Sequence, residues 1–263
     1  MEDRLPALVG MVHLAPLPGS PRYGGSMQAV IEDAAERAEH LTTAGFTGLM
    51  IENFGDIPFF ADTVPPETVA AQAVTVAAVS SANEARIGVN VLRNDALAAL
   101  GIAAATGADF IRVNVLTGSM NTDQGPIVGR AAEVARARST LGPTVQVWAD
   151  VFVKHATPPP GAELEQVAAD TLERGGADAL VVSGSATGSA PPLERLERLR
   201  KAFPNASLVV GSGADSENLA ALADLADHVI VGTSLEVDGR PGAPIDPARL
   251  DRFVAAARKV GLL

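Results

Sequence analysis

Short apolar runs rich in branched residues alternate with Ala-, Leu- and Glu-rich stretches of helical period along all 263 residues. Eight of the runs read as strands: "ALVGMVHL" from Ala7, "GLMIEN" from Gly48, "RIGVNVL" from Arg86, "FIRVNVL" from Phe110, "VQVWADV" from Val145, "ALVVSG" from Ala179, "SLVVGSG" from Ser207 and "HVIVGTSL" from His228. Helices are predicted near 28–44, 66–82, 95–106, 127–140, 163–174, 192–202, 216–224 and 247–260. "AGF" at 44–46, "TGADF" at 106–110 and "RGGADAL" at 174–180 each place Gly where a helix stops and a strand begins. A repeated βα unit makes parallel strands, and eight units favour closure into a single (β/α)8 TIM barrel, residues 1–263, over an open doubly wound sheet.

Parity within the strands refines this. Ile87, Val89 and Val91, like Ile111, Val113 and Val115, share a face that should pack on helices, which turns Asn90, Arg112 and Asn114 inward. In "VQVWADV" the same parity turns Gln146, Trp148 and Asp150 inward. The lumen should therefore become polar towards the C-terminal mouth, where barrels carry their chemistry.

Composition narrows the class. At 47% hydrophobic and 19% charged, the chain has material for one core. There is no cysteine, hence no disulfide and no thiolate ligand. The net charge is −11, and only Lys154, Lys201 and Lys259 among 20 basic residues are lysines, which argues against a nucleic-acid surface. The acidic start "MEDRLPALVG" lacks a secretory pattern and no apolar run reaches about 18 residues, so a cytoplasmic protein with no transmembrane segment is expected. Barrels often pair through outer helices, so a homo-oligomer is expected too.

Candidate chemistry clusters at strand ends. Gly211-Ser212-Gly213 and Gly232-Thr233 follow strands 7 and 8, where small residues let backbone amides approach a phosphate; the competing reading is tight turns alone. Glu52 and Asp150 are strand-end acids able to act as general bases or to bind a hard cation such as Mg²⁺, unless an ion pair with Arg112 absorbs them. His13 ends strand 1, as acid, base, ligand or a hydrogen-bonded structural residue. Lys154, beside His155, can neutralise a ligand phosphate or form a Schiff base, the former being favoured. The long loops after strands 2 and 4 have the character of lids and offer Asn53, Asp56, Asn121, Asp123 and Gln124; "SGSATGSAP" offers Ser183, Ser185 and Thr187. Any of these can equally be turn-forming residues.

Taken together, "MVHLAPLPGSPRYGG", "IENFGDIPF", "NVLRND", "FIRVNVLTGSMNTDQG", "DVFVKHA", "VSGSATG" and "VGSGADSEN" resemble the motif series of the BtpA/SgcQ family, from about Gly10 to Phe253. The resemblance implies a TIM barrel. It implies a site at the matched positions His13, Glu52, Asn53, Asp56, Asn90, Arg93, Asn114, Asp123, Asp150, Lys154 and His155. The family name comes from photosystem I biogenesis in cyanobacteria, but relatives occur in organisms without photosynthesis and among sugar-transport and sugar-catabolism genes. Two functions are thus implied: a metabolic enzyme acting on a small phosphorylated sugar or nucleoside-like compound by acid/base chemistry, or a non-catalytic factor for the photosystem. The second needs an apolar docking face, whereas the helical stretches read as carrying ordinary charged faces. One departure stands out: after strand 8 the family tends to have a Lys, then an aromatic residue and Asn before "PVD", where this chain reads "SLEVDGRPGAPID". Glu236 lies beside the proposed phosphate turn, and an outward orientation would leave the amides usable.

Overall fold

A computed structural model describes residues 6–184 and 193–263. Eight parallel strands close on themselves: β1 (Leu8–His13), β2 (Gly48–Glu52), β3 (Arg86–Asn90), β4 (Phe110–Val113), β7 (Gln146–Val151), β9 (Ala179–Val182), β10 (Ser207–Val210) and β11 (His228–Val231). Neighbours around the ring follow chain order, and β11 pairs with β1 through Leu8↔Val229 and Gly10↔Val231. The molecule is a (β/α)8 TIM barrel; the open sheet is ruled out by that last pairing.

The helices are α1 (Met27–Thr43), α2 (Pro66–Ala82), α3 (Ala96–Thr106), α4 (Ala131–Leu141), α5 (Leu164–Ala169, running on as a π-helical turn Asp170–Arg174), α6 (Leu193–Ala202), α7 (Leu219–Ala223) and α8 (Pro247–Lys259). Their ends have local causes. Ser26, Asp95 and Asp246 accept backbone N–H bonds at the starts of α1, α3 and α8, and Gly107 stops α3 in the left-handed region at φ 74°.

Alternation sorts the side chains as parity predicts. Ile87, Val89, Val91, Ile111, Val113, Val147 and Ala149 join the core between strands and helices. Val115 does not; it packs with Met120, Ile127 and Val153 in a small separate cluster. Inside the barrel, Val9, Met11, Met50, Phe110, Trp148, Val181, Val209 and Ile230 form an apolar filling, with Phe110 and Trp148 stacked at 4.3 Å. Phe110 fits because Gly88 on the adjacent strand has no side chain: a Cβ there would lie 2.3 Å from the ring.

The loop after β4 is a hairpin, where an irregular lid and an earlier helix start were expected. β5 (Ser119–Thr122) pairs antiparallel with β6 (Gly125–Val128) and with β8 (Ala156–Thr157) of the loop after β7. Residues 127 and 128 thus belong to a strand, and α4 begins only at Ala131. The expectation of charged helix faces also fails in part, because α2 has Glu67 as its one charged residue and α3 has none. No described helix is long and apolar enough to cross a membrane.

Candidate active site at the barrel mouth

Strand register brings the first site residues together. His13 pairs with Glu52, Glu52 with Asn90, and Asn90 with Arg112, so four neighbouring strands end in one polar row above the apolar filling. Two residues further along β7 than Trp148, which is opposite Arg112, comes Asp150.

Arg112 and Asp150 form a bidentate pair: Nε donates to Oδ2 at 2.9 Å and Nη2 to Oδ1 at 2.8 Å. Asp150 also accepts from Ser183 Oγ at 3.2 Å and Asn114 Nδ2 at 3.0 Å. Both its oxygens are therefore committed, on side chains only 2% (Arg112) and 0% (Asp150) exposed. Burial alone would lower the Arg112 pKa, but the charge of Asp150 and its hydrogen bonds hold it above the ordinary value. The ion-pair reading thus falls on Asp150. Glu52, 2% exposed, is in no salt bridge among the described residues and lines the cavity. A hard cation at this mouth would have Glu52 as its one uncommitted carboxylate and would rely on ligand oxygens for the rest; among the described residues no three His, Asp or Glu side chains converge as a metal site.

That cavity, of about 160 Å³, is lined by His13, Glu52, Arg112 and Lys154 together with the turns after β10 and β11. Ser234 Oγ donates to Ala214 O at 2.7 Å and fastens the two turns together. The backbone N–H groups of Gly213, Ala214, Thr233 and Ser234 donate to no described carbonyl. Gly213 takes φ 81°, which suits glycine. Gly211 and Gly232 are small for packing reasons: a Cβ on Gly211 would lie 2.4 Å from Val181 and 2.5 Å from Ser183 Oγ, and one on Gly232 would lie 2.8 Å from Met11. Ser212 Oγ accepts from Gly184 N at 3.3 Å, and Thr233 lines the cavity.

Lys154 sits on the loop after β7, where Phe152 and His155 both hold φ 56°, an uncommon conformation for such side chains. Burial pushes the Lys154 ammonium below its usual pKa, partly countered by Glu52. Burial also lowers His155, helped by Lys154 and Arg93. Arg93 holds this loop, donating from Nη2 to His155 O at 2.8 Å, while Asp123 at the exposed hairpin tip lies 3.8 Å from the same nitrogen.

Other predicted contacts serve the framework. Asn53 accepts from Leu92 N at 2.8 Å and donates to Asp56 at 3.0 Å; Asp56 accepts from Leu17 N at 2.8 Å, joining the first three loops. Burial raises the Asp56 pKa. Asn90 donates to Arg112 O at 2.9 Å, yet its Oδ1, like that of Asn114, is buried without a partner among the described residues. Asn121 and Gln124 lie in the hairpin; Ser185 and Thr187 lie outside the described residues.

Asn94 and Arg37 were missed by residue pattern, and Glu236 was seen without its partner. Asn94 exchanges bonds with the backbone of Val115, 2.8 and 2.9 Å. Glu236, noted beside the proposed phosphate turn, points inward: it is 2% exposed and accepts from His13 Nδ1 at 2.9 Å. Behind it stands Arg37 of α1, 3.6 Å away. His13 and Glu236 are 223 positions apart, so no local spacing signals the pair.

Residues 4–259 match the BtpA family. The chain belongs to that family. Within it, the Photosystem I biogenesis protein BtpA of Synechocystis is 47% identical over 249 residues, covering 95% of this chain and 87% of the relative. A protein of Thermococcus kodakarensis is 46% identical, covering 96% and 95% of the two chains. Among solved structures, one described as the native KDPGal structure superposes with a TM-score of 0.59 at 16% identity, over 100% and 99% of the chains. Phosphoribosyl anthranilate isomerase from Thermus thermophilus superposes at 0.59 and 13%, over 96% and 98%. At these identities the structural matches establish the BtpA-family chain as a TIM barrel and nothing finer.

Proposed function

We propose that this BtpA-family barrel is an enzyme that binds a small phosphorylated sugar or nucleoside-like substrate at its C-terminal mouth and works by acid/base chemistry. The observation that carries this reading is the composition of one cavity. Gly213, Ala214, Thr233 and Ser234, whose backbone N–H groups have no partner among the described residues, line the same cavity as His13, Glu52 and Lys154. Backbone N–H groups at such turns suit phosphate oxygens, and the Lys154 cation adds charge to the same cavity. The phosphate then fixes the substrate's position, while Glu52 and His13 are the groups free to move protons. One structural neighbour, phosphoribosyl anthranilate isomerase, is itself named for a phosphorylated substrate.

A thermal-shift series with inorganic phosphate, phosphosugars and nucleotides tests this. A ligand at 100 times its Kd adds about 2.7 kcal/mol of stability. Phosphorylated compounds should raise the melting temperature of the native chain and leave Gly213→Glu unmoved; equal shifts in both would place the anion elsewhere.

The name of the Synechocystis relative supports a second reading, a factor in photosystem I biogenesis. On that reading the uncharged faces of α2 and α3 are the first place to look for contact. A chain 46% identical in Thermococcus and one 29% identical in Caenorhabditis elegans weigh towards a chemistry shared beyond photosynthetic cells.

A further inference from the structure

We infer that Glu236 is a positioning residue that fixes His13 as the proton-transfer group of this mouth, an assignment that rests on the acid/base reading above. The geometry is specific. A carboxylate only accepts hydrogen bonds, so the 2.9 Å contact between His13 Nδ1 and Glu236 Oε1 requires the proton on Nδ1. In a neutral ring, Nε2 is then a bare lone pair. That nitrogen makes no hydrogen bond among the described residues, is not sealed off, and belongs to a side chain on the cavity wall. Phe54 packs on the ring, with centroids 4.9 Å apart and the planes tilted by 45°.

Glu236 is itself fixed. It closes an antiparallel bridge with Ile245, accepts from Gly242 N at 3.2 Å through both oxygens, and faces Arg37 at 3.6 Å. Arg37 in turn donates to Ala243 O at 2.7 Å, Gly242 O at 2.9 Å and Asp33 at 2.8 Å. The Glu236 carboxylate beside the phosphate turn is thereby engaged by a histidine and an arginine. In the reaction, Nε2 takes a proton from the substrate, the imidazolium sits against the Glu236 carboxylate, and the same proton returns to the product. The other charged residues lining this cavity are Glu52, Arg112, Lys154 and Asp215.

The test uses the full chain with ¹⁵N-labelled histidine rings, the His13 signals being identified among four histidines by their loss in His13→Gln. Native protein should show neutral His13 protonated on Nδ1 and bare on Nε2. Glu236→Gln should keep that form, because its amide oxygen still accepts, and Glu236→Leu should shift the ring to Nε2–H. With a substrate from the ligand screen, Glu236→Leu should lower kcat by about 100-fold with KM nearly unchanged. Nε2–H in the native protein overturns the inference and needs no variant to fold. An unchanged tautomer in Glu236→Leu overturns it as well. Inorganic phosphate added to the same samples separates the two ideas: no stabilisation with the Nδ1–H form intact fails the anion site alone.

Discussion

Asp150→Asn removes one charge from the most buried pair in the mouth, and its cost follows from the contacts. The carboxylate accepts two bonds from Arg112, one from Ser183 and one from Asn114. An amide has only one acceptor oxygen, and whichever way it is turned its NH₂ meets a guanidinium N–H, since Nε and Nη2 of Arg112 occupy both sides. Arg112 is left charged and 2% exposed. Breaking a buried pair on one side costs about 3–5 kcal/mol. In a domain of this size each kcal/mol moves Tm by roughly 2–4 °C, so Tm should fall by about 6–20 °C by calorimetry or circular dichroism. The double variant Asp150→Leu with Arg112→Met removes both charges and should recover much of that loss, as coupled neighbours do. A fall below about 2 °C for Asp150→Asn, or a double variant that simply adds a second full loss, would refute the argument that an uncompensated charge dominates.

Three further outcomes are expected. Gly211→Ala forces a methyl against Val181 and Ser183, so it should cost about 1–3 kcal/mol in urea unfolding. Trp148→Ala empties the centre of the lumen and should cost about 3–5 kcal/mol, read the same way. Lys154 is partly buried and its folded pKa depressed by desolvation, so between that value and its unfolded pKa of about 10.4 the unfolded chain binds more protons and stability rises with pH. Lys154→Met removes that slope; it should be more stable than the native chain at pH 7, by a margin that shrinks towards pH 10, whereas a less stable variant at pH 7 would show attraction to Glu52 outweighing burial.

How much of this was legible depended on distance along the chain. The alternation around Asn90 and Arg112 was enough to place both in the mouth, because a period of two has only one solution when the other face is Ile87, Val89, Ile111 and Val113. The hairpin was not legible: Ser119–Thr122 and Gly125–Val128 bury little beyond Met120 and Ile127, so their sequence has no strand-like apolar stripe. The glycines of the two turns were visible, but two of them answer to Val181 and Met11 on other strands, which a local motif cannot reveal. Glu236 stood out only as an oddity, since the partner that gives it meaning lies on the first strand.

The stacked Trp148 and Phe110 also govern traffic. With the centre of the barrel filled, whatever arrives at His13 and Glu52 must leave by the way it came. On the proposed phosphate-binding reading, a product that keeps its phosphate would occupy the seat that the next substrate needs, so it should act as a competitive inhibitor, with turnover set by how quickly the turns after β10 and β11 let it go.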